Sequence, residues 1–142
     1  MYRLVVAAPT STSTPRRAPT DRRLPLALAI DALAVVVFVV IGRRSHDEGS
    51  ALGGIVAVSA PFLLGLGVAW LTGVPLRPHR SAIDVRFGVY VWAVTVVLGL
   101  LARRFLLARS TAASFVVVAS IVLAVFLVGW RAVATVVARR RT

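Results

Sequence analysis

Four long apolar runs alternate with short polar connections along the chain, at about residues 24–41, 51–71, 87–102 and 112–130. The third run is short, and Ile83 offers it an earlier start. With a rise of about 1.5 Å per residue, eighteen helical residues cover about 27 Å, close to the roughly 30 Å of a bilayer's hydrocarbon core. Each run therefore predicts a transmembrane helix. The connections are too short to hold another domain, so the pattern predicts an all-α, polytopic integral membrane protein built as a four-transmembrane-helix up-down bundle. Residues 1–22, rich in Pro, Ser, Thr and Ala, read as a disordered N-terminal tail, residues 23–138 as the four-helix membrane domain, and residues 139–142 as a basic C-terminal tail. Arg22 and Arg23 before an apolar run imitate an export signal. The run continues to Ile41 without a small-residue cleavage site, so the first helix is expected to stay as an anchor.

Composition agrees: 58% of the residues are hydrophobic and 15% charged, far from the mixture of a soluble domain. The net charge of +12 raises nucleic acid as a partner. The arginines, however, sit at the ends of apolar runs and in the tails, with no basic helix face or stacking platform. Anionic headgroups of the lipid bilayer are the expected partner, and nucleic acid is not. All seventeen basic residues are Arg and none is Lys, a bias that reads as genome composition. Without cysteine there is no disulfide and no thiolate chemistry. No Gly-rich phosphate loop, serine-nucleophile motif or paired-histidine motif appears, so no catalytic residue, metal or cofactor is expected.

Arginine placement orients the bundle, because basic residues near span ends are retained in the cytoplasm. Twelve arginines lie on the side of the two termini and the second connection. Five (Arg43, Arg44, Arg103, Arg104 and Arg109) lie on the other. Both termini are expected inside. Trp70, Trp92 and Trp130 all fall near the inner boundary on this topology, where indole favours the headgroup level. Sliding the chain against itself by sixty residues superposes Arg43-Arg44 on Arg103-Arg104 and Trp70 on Trp130. A duplication would make two parallel hairpins related by an axis along the membrane normal. In a chain so rich in Val, Ala and Leu, the weight of that match rests on the Trp and Arg-Arg coincidences alone.

Three groups of residues could carry chemistry. Asp31 lies inside the first span, where a carboxylate costs about 2.5 to 3.5 kcal/mol to insert. It calls for a polar partner: Arg131 near the end of the fourth span first, then Thr95 or Tyr90. Such an acid is either a structural ion-pair anchor or a proton or cation site. If the pair is structural, Asp31→Asn is expected to be milder than Arg131→Leu. Gly53, Ala57, Pro61, Gly65 and Ala69, at a strict spacing of four, form a stripe for close helix packing. Pro61 within it favours a kink, or alternatively a broken helix lining a path. Arg43, Arg44, Arg103 and Arg104 should gather at the outer mouth, either as interface anchors or, with a titratable His46, as an anion or headgroup site.

Three motifs, "GRRSHDEG" after the first span, "PFLLGLGVAW" in the second and "GWR" closing the fourth, resemble a prokaryotic family of small four-span membrane proteins, the domain of unknown function numbered 3054. The resemblance covers about residues 25–135. It extends to an acid early in the first helix, matched by Asp31, and an arginine ending the third, matched by Arg103 or Arg104. It implies the fold and a location in the prokaryotic plasma membrane, and no activity. The leading functional expectation is a small transporter or channel-like subunit working as a homo-oligomer, its path between protomers. The alternatives are a non-transporting scaffold or accessory subunit binding anionic lipid, and a membrane enzyme acting on headgroups.

Overall fold

The structure, a computed structural model, describes residues 23–45, 52–76, 81–106 and 112–140. The N-terminal tail, His46 and Arg109 lie outside the described residues. Four helices follow in order, α1 (Arg23–Ser45), α2 (Leu52–Leu76), α3 (Val85–Leu106) and α4 (Ala113–Arg139), with no strand among the described residues. All four are long and apolar enough to cross a membrane. Packing pairs α1 with α2, α2 with α3, α3 with α4 and α4 with α1, which closes the up-down bundle into a ring. One end of the bundle, here the Asp31 end, holds the start of α1 and the end of α4. The opposite, Arg43 end holds the start of α4 and the end of α1.

The helices overrun the apolar runs that predict them. α4 continues past Arg131 to Arg139, because arginine is a good helix former and the apolar stretch resumes beyond it. α2 passes through both Pro61 and Pro75. Its backbone is helical on either side of Pro61, so the broken-helix alternative gives way to one continuous span. Hydroxyl groups are absorbed locally: Ser59, Thr72, Ser120 and Thr135 each bond to the carbonyl four residues earlier, at 2.7 to 2.8 Å, the usual way a helix hides a hydroxyl from hydrocarbon. Leucine, isoleucine and valine side chains point outward along all four helices, among them Leu33, Leu64, Val97 and Ile121. On a soluble protein such a surface would be a sticky patch; here it is the face offered to lipid tails.

Backbones come closest between α2 and α3. A Cβ on Gly65 would lie 2.9 Å from the Thr95 carbonyl oxygen, and one on Gly99 would lie 2.5 Å from the Phe62 ring. Only glycine fits at either place. The stripe of small residues contributes its second half: Pro61, Gly65 and Ala69 are buried, while Gly53 and Ala57 are exposed. The reason is geometric. At 3.6 residues per turn, a strict spacing of four rotates about 40° per step, so Gly53 ends up on nearly the opposite face from Ala69.

Gly65→Ala is expected to push against backbone that cannot move aside and to cost about 1 to 3 kcal/mol of stability. Gly53→Ala, where an added Cβ meets nothing within 4 Å, should be neutral or slightly stabilising. Reversible unfolding of the two variants in mixed detergent micelles measures the contrast.

Candidate functional site: a sealed ion pair and an arginine-lined pocket

Asp31 is eight positions from the start of α1 and Arg131 eight positions from the end of α4, so antiparallel packing sets them at one depth, about 12 Å from the helix ends. Their side chains meet inside the bundle as a two-pronged salt bridge. Arg131 Nη1 donates to Asp31 Oδ1 at 2.8 Å and Nη2 donates to Oδ2 at 2.7 Å. Both residues are fully buried. Two indoles complete the carboxylate: Trp70 Nε1 donates to Oδ2 at 3.0 Å and Trp130 Nε1 to Oδ1 at 2.9 Å. Each oxygen thus accepts two hydrogen bonds, which uses the roughly four lone-pair positions of a carboxylate.

Four of the five guanidinium N–H groups are engaged. Nε donates to the Ala82 carbonyl at 3.0 Å and Nη1 also to the Leu127 carbonyl at 2.7 Å. Its faces lie over the rings of Trp130, 4.5 Å from the centroid, and Phe87, 5.6 Å away. Phe87 in turn meets Trp70 edge-on at 5.3 Å. Space for the arginine comes from Gly88, whose missing Cβ would sit 2.6 Å from Arg131 Cδ. Through Ala82 the same side chain draws in the connection before α3, and the single Thr135 hydroxyl proton is shared between the Arg131 carbonyl at 2.8 Å and the Ile83 carbonyl of that connection at 3.2 Å. Asp84 then starts α3, its side chain accepting from the Arg86 N–H at 2.9 Å as an N-cap does.

Of the polar residues that sequence places near Asp31, only Arg131 reaches it. Tyr90 is turned to α2, its hydroxyl 2.8 Å from Thr72 Oγ1. Thr95 is fully buried, and its hydroxyl has no hydrogen-bond partner among the described residues. The indoles of Trp70 and Trp130 take the places expected of these two. The signal for them was their depth, shared with Asp31, and the position of Trp130 beside Arg131. An interfacial preference for Trp hides that signal. Trp92 also turns inward, donating to the Ser120 carbonyl at 2.8 Å.

At the opposite end, Arg43 from α1 and Arg103 from α3 line one cavity of about 120 Å³, walled by Phe38, Val58, Phe115 and Val118. All four helices contribute to it. The Arg103 guanidinium stacks on the Phe115 ring at 4.6 Å, and Phe38, Phe62 and Phe115 form an aromatic triad beneath. Gly54 gives the Arg43 guanidinium its place, since a Cβ there would collide with it. Arg104 is exposed and does not line the cavity. The Arg44 side chain and His46 lie outside the described residues. No group of three His, Cys, Asp or Glu side chains gathers among the described residues.

A ring of four apolar helices closed around a buried ion pair defines an integral membrane protein of the small helical-bundle class. The chain belongs to the family described as Protein of unknown function (DUF3054), whose model matches residues 28–134, a span that takes in Asp31, Trp70, Trp130 and Arg131. No curated protein and no solved structure matches it.

The indoles change what substitution should do. Asparagine has one accepting atom, so Asp31→Asn turns an N–H donor toward an indole and a guanidinium that are themselves donors and leaves Arg131 charged and buried. It is therefore expected to be as damaging as Arg131→Leu, each costing about 3 to 5 kcal/mol. The double variant Asp31→Leu/Arg131→Leu, which strands no charge, should lose much less than the sum. A double-mutant cycle by detergent unfolding reads this out, and additive losses would show that the pair is uncoupled.

Proposed function

We propose that this protein is a non-transporting scaffold or accessory subunit of the prokaryotic plasma membrane, with the Asp31–Arg131 centre serving as a lock on the helix arrangement. The observation that carries this reading is the saturation of Asp31. A proton or cation carrier needs an intramembrane carboxylate with a lone pair open to water. Here both oxygens are engaged twice over and the residue has no exposed surface. The arginine balance across the two ends supports an orientation with both termini cytoplasmic. A once-copied two-helix unit accounts for the sixty-residue offset: Trp70 and Trp130 serve the two oxygens of one carboxylate, and Arg43 and Arg103 line one cavity. The ion pair itself is not repeated, since Val91 and Leu71 stand at the offset positions.

Transport, through a path in an oligomer or along the axis, is favoured by one observation, the partnerless hydroxyl of Thr95 within the bundle. Such a group costs about 1 to 3 kcal/mol when buried dry, and a passing solute or water would relieve it.

Proteoliposomes separate the two readings. With proton, sodium and potassium gradients imposed in turn, wild-type vesicles are expected to leak no faster than empty ones. Flux above that background that disappears in Thr95→Val would replace the scaffold with a transporter. For orientation, a reporter active only in the cytoplasm should work when fused after Thr142, and one active only outside should work when inserted beside His46.

A further inference from the structure

We propose that Trp130 is the release point of the Asp31–Arg131 lock, a gate whose outward swing admits water to the pair from between α1 and α4. The inference deepens the scaffold reading and rests on it, since it concerns how the lock opens. Two N–H groups of Arg131 and one from each indole donate to the Asp31 carboxylate, and the four are not equally protected. Arg131 is fully buried and Trp70 is 7% exposed, its bond to Oδ2 buried as well. Trp130 is half-buried, and so is its bond to Oδ1. The seal is thinnest at that ring.

Trp130 has somewhere to go. It lines a groove of about 400 Å³ between α1 and α4, with Arg23 and Ala138 beside the helix ends, Ala27 and Ala134 further in, and Ile30 and Trp130 deepest. Ile30 directly precedes Asp31 in sequence and Trp130 directly precedes Arg131, so the deep end of the groove adjoins both members of the pair. Ala27 lies one helical turn from Asp31, and Ala134 one turn from Trp130. Their small side chains leave the path free. A groove of about 400 Å³ is well above the roughly 150 Å³ that takes up a benzene ring, and it leads toward the headgroup level, where an indole is favoured. Trp70, by contrast, is held edge-on against Phe87 at 5.3 Å. Departure of Trp130 gives up one hydrogen bond to Oδ1 and the stack on Arg131 at 4.5 Å, and it leaves the two-pronged ion pair itself in place. Water can then replace the lost N–H at Oδ1 without any helix moving.

The test uses the full chain, isotope-labelled at tryptophan, in lipid nanodiscs transferred to heavy water, with the exchange of each indole N–H followed by magnetic resonance. Trp130 is expected to exchange at least about tenfold faster than Trp70, although both donate to one carboxylate. This comparison needs only the wild-type chain. Ala134→Leu, which fills the groove beside the ring, should slow exchange at Trp130 severalfold. Trp130→Phe, which keeps a ring in the opening, should leave Trp70 protected, whereas Trp130→Ala should speed exchange at Trp70 severalfold. Exchange at Trp130 no faster than at Trp70, no slowing in folded Ala134→Leu, or equal effects of the phenylalanine and alanine variants would each overturn the gate. Ion flux is a separate readout: flux above background removes the scaffold whichever indole exchanges first, while equal protection of the two indoles removes the gate and leaves the scaffold standing.

Discussion

One carboxylate and one guanidinium, sealed together inside the bundle, hold the four helices in a single arrangement. Between helices in a bilayer there is no hydrophobic force, because lipid tails are as apolar as leucine. Something else must select one packing from many. Asp31 and Arg131 do so by exclusion: any rotation or slide of α1 against α4 that parts them leaves two charges in hydrocarbon, each costing about 2.5 to 3.5 kcal/mol at the helix centre. A buried pair need not add much net stability over an apolar replacement. Its contribution lies in how expensive it makes every alternative. The two indoles and the Ala82 and Leu127 carbonyls extend that penalty to α2 and to the connection before α3.

The rest of the ring is held by a different device. α2 and α3 approach until Gly65 touches the Thr95 backbone and Gly99 accommodates Phe62, which is dispersion packing of the small-residue kind. The glycines of α1 and α4, Gly42 and Gly129, would meet nothing within 4 Å if given a Cβ. No glycine marks a close approach between these two helices, and the ion pair spans them. Shape complementarity closes one side of the ring and charge the other. Loss of the pair should therefore free α1 and α4 and leave the α2–α3 hairpin intact.

Spans were legible in the sequence because the bilayer imposes a length, and an apolar run of that length has few other readings. Their ends were less so: α4 runs on past Arg131 because a lone arginine that can reach a partner does not stop a helix. The pairing of Asp31 with Arg131 was legible because antiparallel topology brings the start of the first span beside the end of the fourth and a long arginine side chain can reach back from there; that both stand eight positions from helix ends was not. The indole partners were not. Trp70 and Trp130 obey the general preference of Trp for the membrane interface, and nothing in their spacing says that the N–H turns inward to a carboxylate. Thr95 and Tyr90 are polar groups on an apolar helix, but helix rotation decides which neighbour each meets, and valines of α3 face both the bundle (Val91, Val96) and the outside (Val89, Val97). The small-residue stripe failed over its first half through the same omission, the 40° or so of drift at each step of four.

Arginine without lysine reads, along the sequence, as a bias of composition. At position 131 it is a requirement. The guanidinium engages both oxygens of Asp31 in parallel and, in other directions, the carbonyls of Ala82 and Leu127, while its faces lie against Trp130 and Phe87. An ammonium has three donors around a point and no flat face. Lysine there could satisfy one oxygen well, but it would leave the second oxygen held by an indole alone and give up stacking on two rings. It would also carry a more strongly hydrated charge into a fully buried site. The residue type that genome composition supplies everywhere in this chain is thus the one that the centre of the fold could not exchange, and a change of composition would leave Arg131 behind as an arginine among lysines.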